Sequence, residues 1–267
     1  MVLITENLVL AREETAMIIR TPMLTRYLAK FAFRILAFLI CLYLYLFHKD
    51  QVMGFLMKPI SMGLSPIYIL WAIFMGLMII HIFPDIAKII PNNRLTMGLL
   101  KMREQEFQPA EYSEYDLLKF VQGMNLKAWQ VMLVWLVFNG FWGILYLLGI
   151  IGDADLFMLT VFYFLSDYIC ILLFCPFQTF IMKNKCCVNC RIYDWGHFMM
   201  FTPMLFIRSF FSWSLFFTSC VVLLHWELTY AKHPERFWYG SNRILQCANC
   251  KDKTCQIKKK IANVAGR

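Results

Sequence analysis

The stretch QVMLVWLVFNGFWGILYLLGII, residues 130–151, runs without one charged side chain. At about 1.5 Å of rise per residue, a helix of that length covers the roughly 30 Å hydrocarbon core of a bilayer. Lipid offers no partner to backbone amides, and a helix satisfies them within the segment. The stretch therefore sets the fold class as an all-α, polytopic integral membrane helix bundle. Asn139, Gly140, Gly143 and Gly149 give it a face on which neighbouring helices can approach closely.

The rest of the chain agrees with this reading. Hydrophobic residues make up 60% of the 267 positions and charged residues 16%, against about 25% charged in a soluble domain. Mean hydropathy is +0.57. Several spans and their loops use most of this length, so one membrane domain is expected, in contact with the lipid bilayer. The formal charge of +9 comes from lysines and arginines that border apolar segments. Retention of positive residues on the cytoplasmic side accounts for that distribution, and no nucleic-acid binding is expected. Residues 1–20 lack the pattern of a cleaved signal peptide, leaving the first span as an uncleaved signal.

Working outward, residues 1–30 place Glu6, Arg12, Glu13, Glu14, Arg20 and Arg26 among apolar residues, an amphipathic N-terminal helix on the interface. The bundle is assigned to residues 31–226. Span 1 covers 31–47, with Arg34 snorkelling, and span 2 covers 66–83 before Pro84. Residues 85–128 form a polar segment of one or two surface helices, followed by span 3. The turn Gly152-Asp153-Ala154-Asp155 has no positive charge and is placed outside. Span 4, 156–182, then delivers Lys183-Asn184-Lys185-Cys186 to the cytoplasm, and span 5 covers 200–224. A fifth full crossing would put the basic tail, 227–267, on the outer side. Either 191–226 re-enters, turning near Arg208 to Trp213, or five spans cross, so the expectation is four to five spans. The N-terminus and cysteine loop are expected in the cytoplasm of a cell at its plasma membrane.

The strongest chemical signal is a phrase written twice, Cys187-Val188-Asn189-Cys190 and Cys247-Ala248-Asn249-Cys250. A two-residue spacer lets both sulfurs of a turn converge on one ion, and two such knuckles supply a tetrahedral thiolate site. Cys186 and Cys255 stand by as alternative ligands, so six of the ten cysteines lie in two short basic segments. Nearby lysines at 183, 185, 251 and 253 and Arg191 would favour thiolates. The expected cofactor is a zinc ion or alternatively an iron-sulfur cluster, the echoed knuckles leaning to zinc. The site would join the tail to the 183–197 loop as a small cysteine-rich cytoplasmic cap that organises the bundle or docks a membrane or cytoplasmic protein partner. A second reading makes the chain a membrane redox protein, passing electrons through an iron-sulfur centre or the C-x-x-C dithiols to a quinone-like or thiol acceptor. Cys186-Cys187 after basic residues also has the look of a palmitoylation site.

Ionisable residues near the bilayer supply a third class, a small transporter or lipid-handling protein. Asp167 and Arg208 must face the bundle interior, a cavity or the interface. His225, Glu227, His233 and Glu235 form a candidate interfacial site, although an aromatic belt with charged partners explains them more simply. Asp194 and His197 are candidate supporting or alternative ligands, and His81 sits near the end of span 2.

Overall fold

A computed structural model describes residues 21–57, 65–83, 86, 95–184 and 186–264. Its helices are α1 (Pro22–Met57), α2 (Ile67–Ile82), α3 (Met97–Leu100), α4 (Glu114–Leu147), α5 (Asp153–Leu172), α6 (Gly196–Phe201), α7 (Phe210–Lys232) and α8 (Cys255–Val264). Four long apolar helices, over Pro22–Lys49, Glu114–Leu147, Asp153–Leu172 and Phe210–Lys232, are able to cross a membrane, and α2 is a shorter apolar helix. Among the described residues there is no strand; Pro109 and Asn242 form one isolated antiparallel bridge. The amphipathic segment expected at the N-terminus falls mostly on residues 1–20, outside the described residues.

Several boundaries differ from the sequence reading, α1 running over Pro22–Met57 where a span over 31–47 was expected, and three of them have a local reason. α4 begins at Glu114 instead of 130, because Leu117, Val121, Met124 and Ala128 continue the apolar stripe at helical spacing. Glu114 and Asp116 suit the positive end of its dipole. α5 stops at Leu172, not 182: Pro176 has no amide to give the Leu172 carbonyl, and a π-helical turn over Phe177–Met182 follows. α7 begins at Phe210, where the Ser209 hydroxyl accepts the Ser212 amide at 3.1 Å.

The segment between Arg191 and Ser209 is broken into short helices. It lies antiparallel to α7: Trp195 donates to Glu227 at 2.8 Å, Phe198 meets Phe216, and Trp213 donates to the Leu205 carbonyl at 3.1 Å. It also climbs α4, from Arg191 beside Asn125, through Trp135 bonded to Thr202 at 3.0 Å, to Phe206 against Gly143. Those 18 residues of α4 (143 minus 125) correspond to about 27 Å of rise. The segment thus traverses the bundle as a broken arm and α7 returns. Its short helices, α6 and a 3-10 turn over Thr202–Leu205, are buried through Phe198, Met200, Phe201, Thr202, Pro203 and Met204. Irregular backbone at that depth is tolerated because protein surrounds it.

Consequently the chain end that holds the 186–190 loop also holds the tail. The N-terminal turns of α1, the segment around α3, and residues 234–264 gather there, while the Gly152 turn lies at the other end, where Tyr45 and Lys49 reach Asp155. α1 packs antiparallel along α5, from Tyr27 beside Tyr168 to Phe38 beside Phe162. Outward faces of α1 and α4 present Leu36, Leu39, Phe47, Leu133, Val137 and Phe141, exposed and apolar, as lipid-facing surfaces do.

Candidate functional site

An apolar cavity of about 580 Å³ opens between α4 and α5. Val134, Trp135 and Phe138 of α4 and Phe162 and Ser166 of α5 form its walls. Its floor is made by the break after α5. Asp167, Cys170 and Ile171 share one face of α5 by their three- and four-residue spacing, and Cys175 and Gln178 follow in the irregular turn. Cys187 and Cys190 close the floor from the returning loop. Four thiols therefore line one cavity.

The loop is held by the C-terminal helix. Lys258 of α8 donates to the Cys170 carbonyl at 2.6 Å, to Gln178 Oε1 at 2.6 Å and to Cys187 Sγ at 2.9 Å. Cys187 Sγ also lies 3.2 Å from Gln178 Oε1. Ile257 beside it packs against Met23, Tyr27, Tyr168 and Leu172. Burial pushes the Cys187 thiol up, with Lys258 opposing. For Cys190, which packs with Trp195, Trp226 and Tyr230, burial carries it to about 12. Burial also raises Cys250 and Cys255. The basic neighbours expected to favour thiolates are thus outweighed by desolvation at these four sulfurs.

The two knuckles do not converge on one point. Cys187 and Cys190 are buried toward the cavity, whereas Cys247 is exposed and Cys250, with Cys186, borders a separate cluster of Leu95, Met97, Leu100, Val188, Ile244 and Leu245. Adjacent residues 186 and 187 face opposite ways, which splits the cysteines into an inner and an outer set. Cys255 lies within electrostatic reach of Cys186 and Cys247 in the outer set. Among the described residues, no group of three or more His, Cys, Asp or Glu side chains is arranged to hold a metal ion.

The two intramembrane charges, Asp167 and Arg208, lie apart. Asp167 is bonded to Arg34 of α1 at 2.7 Å, and that guanidinium stacks 4.0 Å from the rings of Phe164 and Tyr168. Arg208 lies at the opposite end, within electrostatic reach of Tyr146. The interfacial candidates are also divided. Glu227 is engaged by Arg191 in a two-pronged pair and by Trp195, His233 bonds Glu235 at 3.2 Å, and His225 is held in neither contact among those described. Asp194 bonds His81 at 3.0 Å, and the His81 ring meets His197 edge to face at 4.6 Å.

Sequence reasoning passed over two further buried charges. Lys101 is 1% exposed, its Nζ has no hydrogen-bond partner, and the rings of Tyr193, Trp226 and Phe237 surround it at 5.7, 5.7 and 5.9 Å. Burial lowers its ammonium to about 8. Asp252 accepts from Tyr27 at 3.1 Å and from the Met97 amide at 3.2 Å, while its other oxygen is unpartnered. Burial raises it to about 6. Cys170 and Cys175 were equally open to notice: a C-x4-C-P step at the end of a span repeats the C-x4-C step between Cys250 and Cys255. No family model, no curated protein and no solved structure matches this chain.

Proposed function

We propose that this chain is a membrane dithiol protein that exchanges two electrons and two protons with a quinone-like lipid in the cavity between α4 and α5. The observation that carries this reading is the placement of Cys187 and Cys190, both cysteines of the first knuckle, on the wall of one apolar cavity. The Cys190 amide donates to the Cys187 carbonyl at 2.9 Å, closing a turn. The ends of such a turn lie within about 7 Å at Cα, which overlaps the range a disulfide spans. The cavity has the volume of a small-molecule site and the apolar lining that suits an aromatic ring with a lipid tail.

The half-reaction balances without an outside proton. The Cys187 and Cys190 thiols lose two electrons and two protons as the S–S bond forms, and the quinone takes up both to become the quinol. A dithiol of a partner protein, reaching the end where Cys247 is exposed, would restore the pair by exchange. The concentration of Lys232, Arg236, Arg243, Lys251, Lys253 and Lys258 to Lys260 in the tail supports a cytoplasmic setting for that end.

A metal-organised cap is the competing reading. It needs Cys190 to leave the cluster with Trp195 and Trp226 and Cys247 to turn inward. One experiment separates the two. Protein purified anaerobically, reduced and placed in lipid nanodiscs is mixed with a short-chain benzoquinone while quinone absorbance and bound metal are followed. The redox reading expects quinone loss that disappears in Cys187→Ser and Cys190→Ser, with no stoichiometric metal. Unchanged quinone with one tightly bound zinc per chain would refute it.

A further inference from the structure

The quinone-like ring proposed for the cavity carries two carbonyl oxygens, acceptors that cost free energy to bury unless a donor meets them. Most polar side chains on the cavity walls are committed elsewhere. Trp135 Nε1 donates to Thr202 at 3.0 Å, the Tyr163 hydroxyl to Asn139 at 3.1 Å and the Ser166 hydroxyl to the Phe162 carbonyl at 2.8 Å. Tyr27 gives its hydrogen to Asp252, so the Tyr193 hydroxyl, 2.9 Å away, is the donor to Tyr27. Asp167 is an acceptor, already paired with Arg34. Gln178 differs. It stands in the π-helical turn over Phe177–Met182, is buried and lines the cavity floor. Its Oε1 takes two donors, Lys258 Nζ at 2.6 Å and Cys187 Sγ at 3.2 Å. An ammonium has hydrogens only to give, so the amide oxygen must face Lys258 and the nitrogen must face away. Among the described residues Nε2 has no hydrogen-bond partner.

We infer that Gln178 orients the substrate: its Nε2 donates to one carbonyl oxygen of the quinone-like ring and sets that ring beside Cys187 Sγ. The same amide touches the thiol through its oxygen and the electron acceptor through its nitrogen. Its backbone is fixed for this, since the Gln178 amide donates to Cys175 Sγ at 3.4 Å and its carbonyl accepts the Asn184 amide at 3.2 Å. An acceptor for Lys258 and Cys187 alone would be supplied better by glutamate, which would also neutralise the lysine. What the amide adds is a donor. As electrons arrive at the ring, negative charge builds on its oxygen and the hydrogen bond strengthens. The site therefore favours rings that carry an acceptor oxygen over hydrocarbons of the same shape.

This role rests on the redox reading, and its test separates binding from electron transfer. Full-length protein carrying Cys190→Ala, which cannot close the Cys187–Cys190 disulfide, is placed in anaerobic lipid nanodiscs. It is equilibrated with duroquinone, whose methyl groups block addition of a thiol to the ring, or with durene, the same methylated ring without oxygen. Retention above that of empty nanodiscs is measured, together with the infrared carbonyl stretch of bound duroquinone. Adding Gln178→Leu is expected to weaken duroquinone binding about tenfold, the strength of one buried hydrogen bond, and to leave durene unchanged. The carbonyl stretch, lowered by the Gln178 hydrogen bond, should return to its value in lipid. Gln178→Glu, which keeps the acceptor for Lys258 and loses the donor, serves as a second variant should the leucine protein not accumulate, and is expected to behave alike. Duroquinone binding and a carbonyl stretch that are the same with and without Gln178 would overturn the assignment and leave the quinone site standing. Duroquinone retained no better than by empty nanodiscs, in every protein, would overturn the quinone reading and this role together.

Discussion

Replacing Lys258 with Met removes one cation from three acceptors at once, the Cys170 carbonyl, Gln178 Oε1 and Cys187 Sγ, at 2.6, 2.6 and 2.9 Å. A unit charge 2.9 Å from a thiolate contributes roughly 6 kcal/mol at an effective dielectric of about 20. Partial solvent access and the lysine's own desolvation reduce this to about 1 to 2 pH units, at about 1.36 kcal/mol per unit. The sign follows from the charge: burial already holds the Cys187 thiol high, and loss of Lys258 sends it higher. The assay is iodoacetamide labelling of Cys187 as a function of pH. Accessibility scales the whole curve, whereas the midpoint reports the thiol itself, so opening of the tail and loss of charge are read separately. Lys258→Met should move the midpoint up by at least one pH unit. An unmoved or lowered midpoint would refute the idea that the tail helix activates this thiol.

Three further outcomes are expected. Gly143→Ala places a methyl 2.2 Å from the Phe206 ring, so that ring must move, with about 1 to 3 kcal/mol lost and a lower melting temperature. Asp252 binds its proton more tightly in the folded state, at about 6 against an ordinary 3.8, so stability falls by about 3 kcal/mol as pH rises from 4 to 6. Asp252→Asn should abolish that slope, as denaturation at pH 4.5 and 7 will show. Arg34→Met strands Asp167 and should cost about 3 kcal/mol or more, while Arg34→Met with Asp167→Asn should recover most of it; equal destabilisation by both would contradict a coupled pair.

Much of the bundle was legible because apolar length is a one-dimensional property: residues 130–151 and 31–47 announce themselves without any knowledge of neighbours. The broken arm was not, since Gly196 and Pro203 interrupt a run that only burial by α4, α5 and α7 makes tolerable. The continuation of α4 back to Glu114 was obscured by polar residues on its exposed face, although Leu117, Val121, Met124 and Ala128 carried the helical period. At the site, the cysteine spacings identified the first knuckle, but spacing is silent on direction. Cys186 and Cys187 are neighbours that face different clusters, so grouping by sequence paired sulfurs that the fold separates. Lys101 looked like one basic residue among many in a polar segment. Its burial depends on Trp226 and Phe237, more than 120 residues away (226 minus 101).

The proposed redox function requires the first knuckle and the apolar cavity to form one reaction chamber. It is tested most directly by adding a single equivalent of short-chain benzoquinone to fully reduced protein under anaerobic conditions and mapping the products by peptide mass spectrometry. One quinol is expected for every two thiols lost, with the new disulfide joining Cys187 to Cys190. Full recovery of both free thiols with the quinone intact would contradict it.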